Sequence, residues 1–359
     1  MKKIIVLALL LALTVGLLAG CAGNKPSKPS IGDAEKIKIG IAFPSRDYRE
    51  WNEAGNQIKS ELAALGYDVV LDYASNDIAT QVTQIEELLD SGCKCLLIGA
   101  IDGDALGTVL DEAKEKGVPV IAYDRLIMNT DAVSYYVAFD NYQIGTKQGE
   151  YIRDTLHLDT TDGPYNIELF SGDPGDNNAR FIFSGAMDIL NPYIDQGKLV
   201  VRSGQTDYKE ASTAAWASEA AQSRMDALIF LNYRGEKLNA VLCSGDSLSR
   251  GVIYAIEGNY DGAWPVIVGS GCEKENVKLI LKDRQSMSVF RDTGKLASAA
   301  VNMLDALAKG AAVPVNDRES YNNNVKVVPS FLCEPTVVNK ENYRGVLIES
   351  GYYDEDELK

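Results

Sequence analysis

The chain has 359 residues, 46% hydrophobic and 24% charged, with a formal charge of −16. A single core seldom grows beyond about 250–300 residues, so the length calls for two domains of ordinary globular composition. The acidic balance excludes a protein that holds a polyanion by general electrostatics, and nucleic acid is not an expected partner.

In chain order, Lys2 and Lys3 precede an apolar run from Ile4 to Leu18, and Leu18-Ala19-Gly20-Cys21 follows at once. A charged start, a short apolar stretch and small residues at the cut are the order of a secretory signal. The run is too short for the roughly 20 residues a spanning helix needs. The ending resembles a bacterial lipobox, which implies that residues 1–20 are removed and Cys21 is lipidated. The protein is then extracytoplasmic and tethered to the cell membrane by lipid. Residues 21–36, rich in Gly, Pro and Ser, read as a flexible tether.

Strand and helix patterns then alternate. Ile37–Phe43 reads as a strand, Trp51–Leu65 as an amphipathic helix closed by Gly66, and Asp68–Tyr73 as a strand. Ile78–Leu89 is helical, Cys95–Ala100 is a buried strand, and Ala105–Lys116 is a helix closed by Gly117. Val118–Tyr123 and Val133–Phe139 are strands. Short apolar runs between helical patterns are the mark of a parallel sheet covered on both faces. The pattern restarts with a helix at Tyr142–Leu156 and a strand at Tyr165–Phe170. Helices at Asn177–Leu190, Glu210–Leu231, Leu248–Glu257 and Glu273–Leu281 alternate with strands at Lys198–Arg202, Ala240–Cys243, Pro265–Val268 and Ser286–Phe290. A helix at Thr293–Lys309 and an extended stretch at Val325–Phe331 complete the two sheets.

The fold class is therefore α/β, with two doubly wound parallel-sheet lobes joined by several crossings that form a hinge. Residues 37–139 plus 291–325 make the N-terminal lobe, and 140–290 plus 326–359 the C-terminal lobe. Crossings are expected near Phe139–Asn141, Phe290–Arg291 and Val328–Phe331.

Cysteine and histidine carry little chemistry. Cys93, Cys95, Cys243, Cys272 and Cys333 lack metal or redox spacing and read as buried thiols. His157, the one histidine, reads as a surface residue before a loop, so Ser-His and His-metal chemistry are not expected. No cofactor or metal is called for.

Ligands of open parallel sheets sit beyond the carboxyl ends of the strands. There the sequence places Trp51, Asp102, Asp124-Arg125, Asp140-Asn141, Asp176, Asn178, Asp246 and Arg291. Carboxylates accept from hydroxyls, Arg donates in a planar fork and an indole covers the C–H face of a sugar ring. There is no phosphate cradle; Gly172–Asp176 (GDPGD) carries two acids that would repel an anion. Asp140, Asp246 and Asp77 also read as helix N-caps.

These residues bring a family into view. The stretches QVTQIE (Gln81–Glu86), IGAIDG (Ile98–Gly103), GVPVIAYDRLI (Gly117–Ile127), YYVAFDN (Tyr135–Asn141), DNNA (Asp176–Ala179) and VKVVPS (Val325–Ser330) resemble a periplasmic-type sugar-binding protein of an ABC transporter. The likeness is to the xylose-binding and multiple-monosaccharide-binding proteins with the type I periplasmic binding protein fold. It implies a monomer that closes on one monosaccharide and hands it to an ABC transporter permease. The implied ligand-binding residues are Trp51, Asp102, Asp124, Arg125, Asn141, Asp176, Asn178, Trp216 and Arg291. The chain departs from the family pattern at Glu50, where an Arg usually precedes the Trp. It departs again at Gly245-Asp246 and at Gly269-Ser270-Gly271, which lacks a carboxylate. The alternatives are a sensor presenting its closed form to a chemoreceptor or kinase, and a carbohydrate-active enzyme using Asp102, Asp124 or Asp176. Arg125 beside Asp124 weighs against the enzyme, because it should keep that acid ionised.

Overall fold

The computed structural model describes residues 36–359; the lipobox and most of the tether lie outside them. Two six-stranded sheets organise the chain. The first contains β1 (Lys38–Phe43), β2 (Asp68–Tyr73), β3 (Cys95–Ile98), β4 (Val120–Tyr123) and β5 (Val133–Phe139). The second contains β6 (Tyr165–Phe170), β7 (Leu199–Val201), β8 (Ala240–Cys243), β9 (Val266–Ser270) and β10 (Met287–Phe290). The last two strands divide between them: β11 (Ser330–Cys333) joins the first and β12 (Thr336–Val338) the second. Strand orders are β11-β5-β4-β3-β1-β2 and β12-β10-β9-β8-β6-β7, parallel except for the β10–β12 pair.

Alternation along these strands feeds two cores. Ile39, Ile41 and Phe43 join one apolar cluster, while Ala42 joins another on the opposite face. In the second sheet Ile167 and Leu169 face one cluster, and Phe170 and Val241 the other. Burial on both faces leaves no polar stripe, which is why the strands read as continuous apolar runs.

The helices are α1 (Arg49–Ala64), α2 (Ile78–Asp90), α3 (Gly107–Glu115), α4 (Asn141–Thr155) and α5 (Asn177–Asp195). A single turn, α6 (Tyr208–Ala211), precedes α7 (Ser218–Asn232), α8 (Asp246–Asn259), α9 (Lys274–Leu281) and α10 (Thr293–Ala308). Although α10 follows the second sheet in sequence, Gln57 of α1 donates to the Gly294 carbonyl at 3.1 Å, which seats α10 beside α1. Among the described residues no helix is long and apolar enough to cross a membrane.

Two boundaries need correction. The segment 326–333 belongs with the first sheet, because Ser330–Cys333 pairs in parallel register with Tyr136–Phe139. Asn323 Nδ2 also donates to the carbonyls of Ile127 and Thr130 from the loop before it. The third passage between sheets therefore falls at residues 334–335, beyond Val328–Phe331. The other two fall after Phe139 and after Phe290, where β5 leads into α4 and β10 into α10. The single helix expected over Glu210–Leu231 is also broken. Ala215 and Trp216 take φ of +53°, and a 3-10 turn spans Ala214–Trp216 before α7 begins. Positive φ at two consecutive L-residues interrupts the helical hydrogen-bond ladder, whatever the apolar spacing suggests.

All five described cysteines are buried free thiols, and His157 is exposed.

Candidate functional site

The carboxyl ends of both sheets meet in one cleft. On the first side, β4 ends at Tyr123 and the chain turns at Asp124, which has φ +62°. Asp is one of the few L-residues that adopts this region readily. The turn is fixed by its backbone: the Asp124 N–H donates to the Val137 carbonyl at 2.8 Å. Its carbonyl accepts from Tyr136 Oη at 2.7 Å and from Asn178 Nδ2 at 3.0 Å. Asn178 lies on α5 at the mouth of the second sheet, so this bond spans the cleft.

Trp51 enters from the first turns of α1. It is buried, 5.2 Å from the Phe43 ring and 5.9 Å from the Tyr123 ring, centroid to centroid. A Cβ at Gly99, just past β3, would come within 2.5 Å of the indole, so only glycine leaves room there. The Arg125 guanidinium stands over the same indole at 5.8 Å. Its Nη1 donates to the carbonyls of Ala100 and Ile101 at 3.2 and 3.0 Å. That leaves the other N–H groups of the fork for a ligand.

The second sheet supplies a matching indole. The broken helix places Trp216 against Gly172, where a Cβ would fall 2.2–2.3 Å from three ring atoms. Trp216 Nε1 donates to Asp176 Oδ2 at 3.3 Å. Asp176 Oδ1 accepts from the Asn178 N–H at 2.9 Å, capping α5. Asp176 thus holds both the helix start and the indole. Gly245, following β8, also lies under this ring, 3.0 Å from its edge as a Cβ.

Burial pushes the Asp124 carboxyl above its ordinary range; Arg291 and then Arg125 pull it back, and Asp176 across the cleft adds to the rise. Loss of water thus outweighs the pull of the two cations.

The remaining expected residues are placed less centrally. Asn141, at the first passage between sheets, is buried; its backbone N–H donates to Tyr321 Oη at 3.2 Å, and its Nδ2 has no protein partner. Arg291 stands at the second passage, half-buried, in electrostatic reach of Asp124. Asp102 is exposed, and its carboxylate accepts from the Asp104 N–H at 2.8 Å within its own loop. The structure thus joins Trp51, Asp124, Arg125, Asp176, Asn178 and Trp216 through direct contacts. Asp102 stays on the rim.

Asp140 and Asp77 are N-caps, accepting from Gln143 and Thr80 backbone N–H groups. Asp246 is not a cap. It is wholly buried, and its carboxylate accepts from Ser288 Oγ and Gln285 Nε2 at 2.9 Å and from the Glu273 N–H at 2.9 Å. Burial is the main cause that pushes it up to about 6. These bonds pin the loop Gly271–Glu273 beneath the cleft, and a Cβ at Gly269 would sit 2.2 Å from Asp246 Oδ1. The unusual glycines at 245 and 269 therefore make room for an indole and a buried carboxylate, while Gly271 takes φ +129°, a conformation that favours glycine.

One contact had no signal in the sequence. Arg49 donates to the Tyr352 carbonyl at 3.4 Å and stands 5.3 and 5.0 Å over the rings of Tyr352 and Tyr353. Those tyrosines belong to the C-terminal segment, which packs on Cys272, Val277 and Phe290 of the second lobe. Arg49 and Asn178 are thus two ties across the cleft mouth.

Comparison with known proteins identifies the family of the chain. The family model for the periplasmic binding protein domain matches residues 39–312. The chain is 43% identical to the multiple sugar-binding periplasmic protein SbpA of Azospirillum brasilense, over 98% of both chains. It is 44% identical to the multiple sugar-binding periplasmic receptor ChvE of Rhizobium radiobacter, over 91% of this chain and 93% of that one. Among solved structures, it is similar to an ABC transporter solute binding protein from Clostridium phytofermentans with bound β-D-glucose. That match has 55% identity and TM-score 0.85, and covers 90% of this chain and all of the other. With the fold, the paired indoles and these relatives in agreement, the chain belongs to the periplasmic binding protein family, among its sugar-binding members.

Proposed function

We propose that this protein captures one monosaccharide in the cleft between its two sheets and delivers it to an ABC-type importer. The observation that carries this reading is the pair of indoles. Trp51 and Trp216 come from opposite lobes, each lying against a glycine past a strand end, with Asp124, Arg125 and Asp176 between them. Indole faces cover the apolar faces of a sugar ring, and the carboxylates and guanidinium take its hydroxyls. Asn141 and Arg291 belong to the same set from the crossings, and Asp102 from the rim. The relatives named for multiple sugars, and the structural neighbour holding β-D-glucose, support a neutral aldose as ligand. Their roles as binding and receptor proteins also support transport over catalysis. Calorimetric titration of the mature chain with neutral pentoses and hexoses tests this reading. Saturable one-to-one binding of at least one is expected; heat-silent titrations throughout would refute it.

We also propose that Cys21 anchors the protein outside the cytoplasm through lipid. The support is the order Lys2-Lys3, apolar run, Leu-Ala-Gly-Cys. Cys21→Ser should release the protein from membranes or leave it unprocessed. Membrane fractionation at wild-type mass would contradict the anchor.

A further inference from the structure

On the reading that the cleft holds a monosaccharide, we infer that Asp173 is a positioning residue that sets the face Trp216 turns toward the sugar. Asp173 follows β6 and is one of the two acids of Gly172–Asp176 (GDPGD). Trp216 sits on a backbone that no local preference favours. Ala215 and Trp216 both take φ of +53°, and neither is the Gly, Asn or Asp that adopts the left-handed region readily. Such a turn persists only where its surroundings hold it. Asp173 supplies the hold. Its Oδ2 accepts from the Ala215 N–H at 2.5 Å, a charge-assisted bond to the residue immediately before the indole. Its Oδ1 accepts from the Gly175 N–H at 2.7 Å.

Asp173 is itself fixed from behind. Its carbonyl accepts from Tyr208 Oη and from the Asp176 N–H, both at 3.1 Å. Tyr208 packs on Phe183 of α5, 5.7 Å between ring centroids, and the Arg180 guanidinium stands 5.3 Å over its ring. Alongside, the Thr213 N–H donates to the Gly172 carbonyl at 3.0 Å, and the Trp216 N–H to the Thr213 carbonyl at 3.2 Å. One loop thus grips the indole in three ways. Gly172 makes room for the ring, Asp176 accepts from its Nε1, and Asp173 locks the backbone that carries it. Without Asp173 the left-handed turn can relax, and the point from which the indole projects moves with it. A flat ring laid on a sugar tolerates little displacement, because contact attraction falls steeply with separation. Both oxygens of the Asp173 carboxylate are engaged by backbone N–H groups, so it acts through Trp216 rather than by touching the sugar.

The test is a double-mutant cycle read by calorimetry with D-glucose, or with another neutral aldose that wild type binds. Asp173→Ala should weaken binding roughly 5–20-fold, comparable with displacing the indole itself. Asp173→Asn should fall between, at roughly 2–5-fold, because an amide offers one acceptor oxygen where Asp173 uses two. The Asn variant also carries the test if Asp173→Ala fails to fold. In a Trp216→Ala background either substitution should cost little further affinity, because the group it positions is gone. Tryptophan emission of unliganded Asp173→Ala should shift toward that of a wetter ring, and in the Trp216→Ala background that shift should vanish. The same loss of affinity with and without Trp216 would mean that Asp173 acts on the sugar directly, and would overturn the inference. Unchanged affinity and emission in both Asp173 variants would also overturn it, while leaving sugar binding intact. Failure of wild type to bind any neutral aldose would overturn the sugar reading, and with it the role assigned to Asp173.

Discussion

Asp124→Asn is expected to weaken binding of the neutral aldose by roughly 10–100-fold while leaving the fold intact. A hydrogen bond to a charged group is worth about 1.5–3 kcal/mol, and each 1.4 kcal/mol is tenfold in affinity. Asn is the informative replacement because residue 124 has φ +62°, a conformation Asn adopts more readily than Ala. The structural bonds at this position are made by the backbone, from Tyr136, Asn178 and to Val137, so they survive the change. What is removed is the negative charge between Arg291 and Arg125. The acid limb of the wild-type pH profile provides an independent check. The ionised form is the better acceptor for sugar hydroxyls, and burial raises the carboxyl above the ordinary range. Affinity should therefore be full at neutral pH and fall as pH drops through the raised value, sooner than for an exposed Asp. In Asp124→Asn that component of the fall should vanish. Unchanged affinity in the variant would place the ligand elsewhere and leave Asp124 as a turn residue.

Gly172→Ala should be nearly as damaging, though it adds only a methyl group. The new Cβ would lie 2.2–2.3 Å from three atoms of the Trp216 ring, so the indole must move. Movement costs the Trp216–Asp176 hydrogen bond and the face offered to the sugar. An aromatic face is worth about 0.5–1.5 kcal/mol beyond its contact area, and with that area lost as well a loss of about tenfold in affinity is expected. Because Gly172 is buried at a strand end but Trp216 is only half-buried, the indole has somewhere to go and the protein should still fold. Tryptophan fluorescence should report the displacement, with emission shifted toward that of a wetter ring. Wild-type affinity together with a wild-type spectrum would show that Trp216 does not cover the ligand.

The sequence made the architecture readable because both sheets are buried on both faces. Runs such as Cys95–Ile98 and Ala240–Cys243 are apolar without interruption, and helices of clear periodicity separate them. Polar residues after those runs pointed to the cleft for the same reason: a parallel sheet directs the carboxyl ends of its strands one way. Four features were hidden, each by a tertiary effect. The break at Ala215-Trp216 lies in a sequence of good helix formers, and only contact with Gly172, Asp173 and Asp176 explains its φ values. Asp246 looked like a cap because it opens α8, yet Ser288 and Gln285, far along the chain, claim its carboxylate. The last crossing was misplaced because Val325–Phe331 (VKVVPSF) reads as one extended stretch, whereas pairing with β5 begins only at Ser330. The Arg49 contact with Tyr352 and Tyr353 joins residues about three hundred positions apart, a separation for which periodicity carries no information.

Calorimetric titration of the mature wild-type chain with neutral aldoses, D-glucose first, bears most directly on the central claim that the cleft between the lobes is a monosaccharide site. The account predicts one-to-one saturable binding with a negative heat-capacity change, since closing over the ring buries its apolar face and the open part of the half-buried Trp216. The same titration should be strongly weakened in Asp124→Asn and in Gly172→Ala, whose substitutions lie on opposite lobes. Absence of binding by every neutral aldose, or binding that neither variant diminishes, would contradict it.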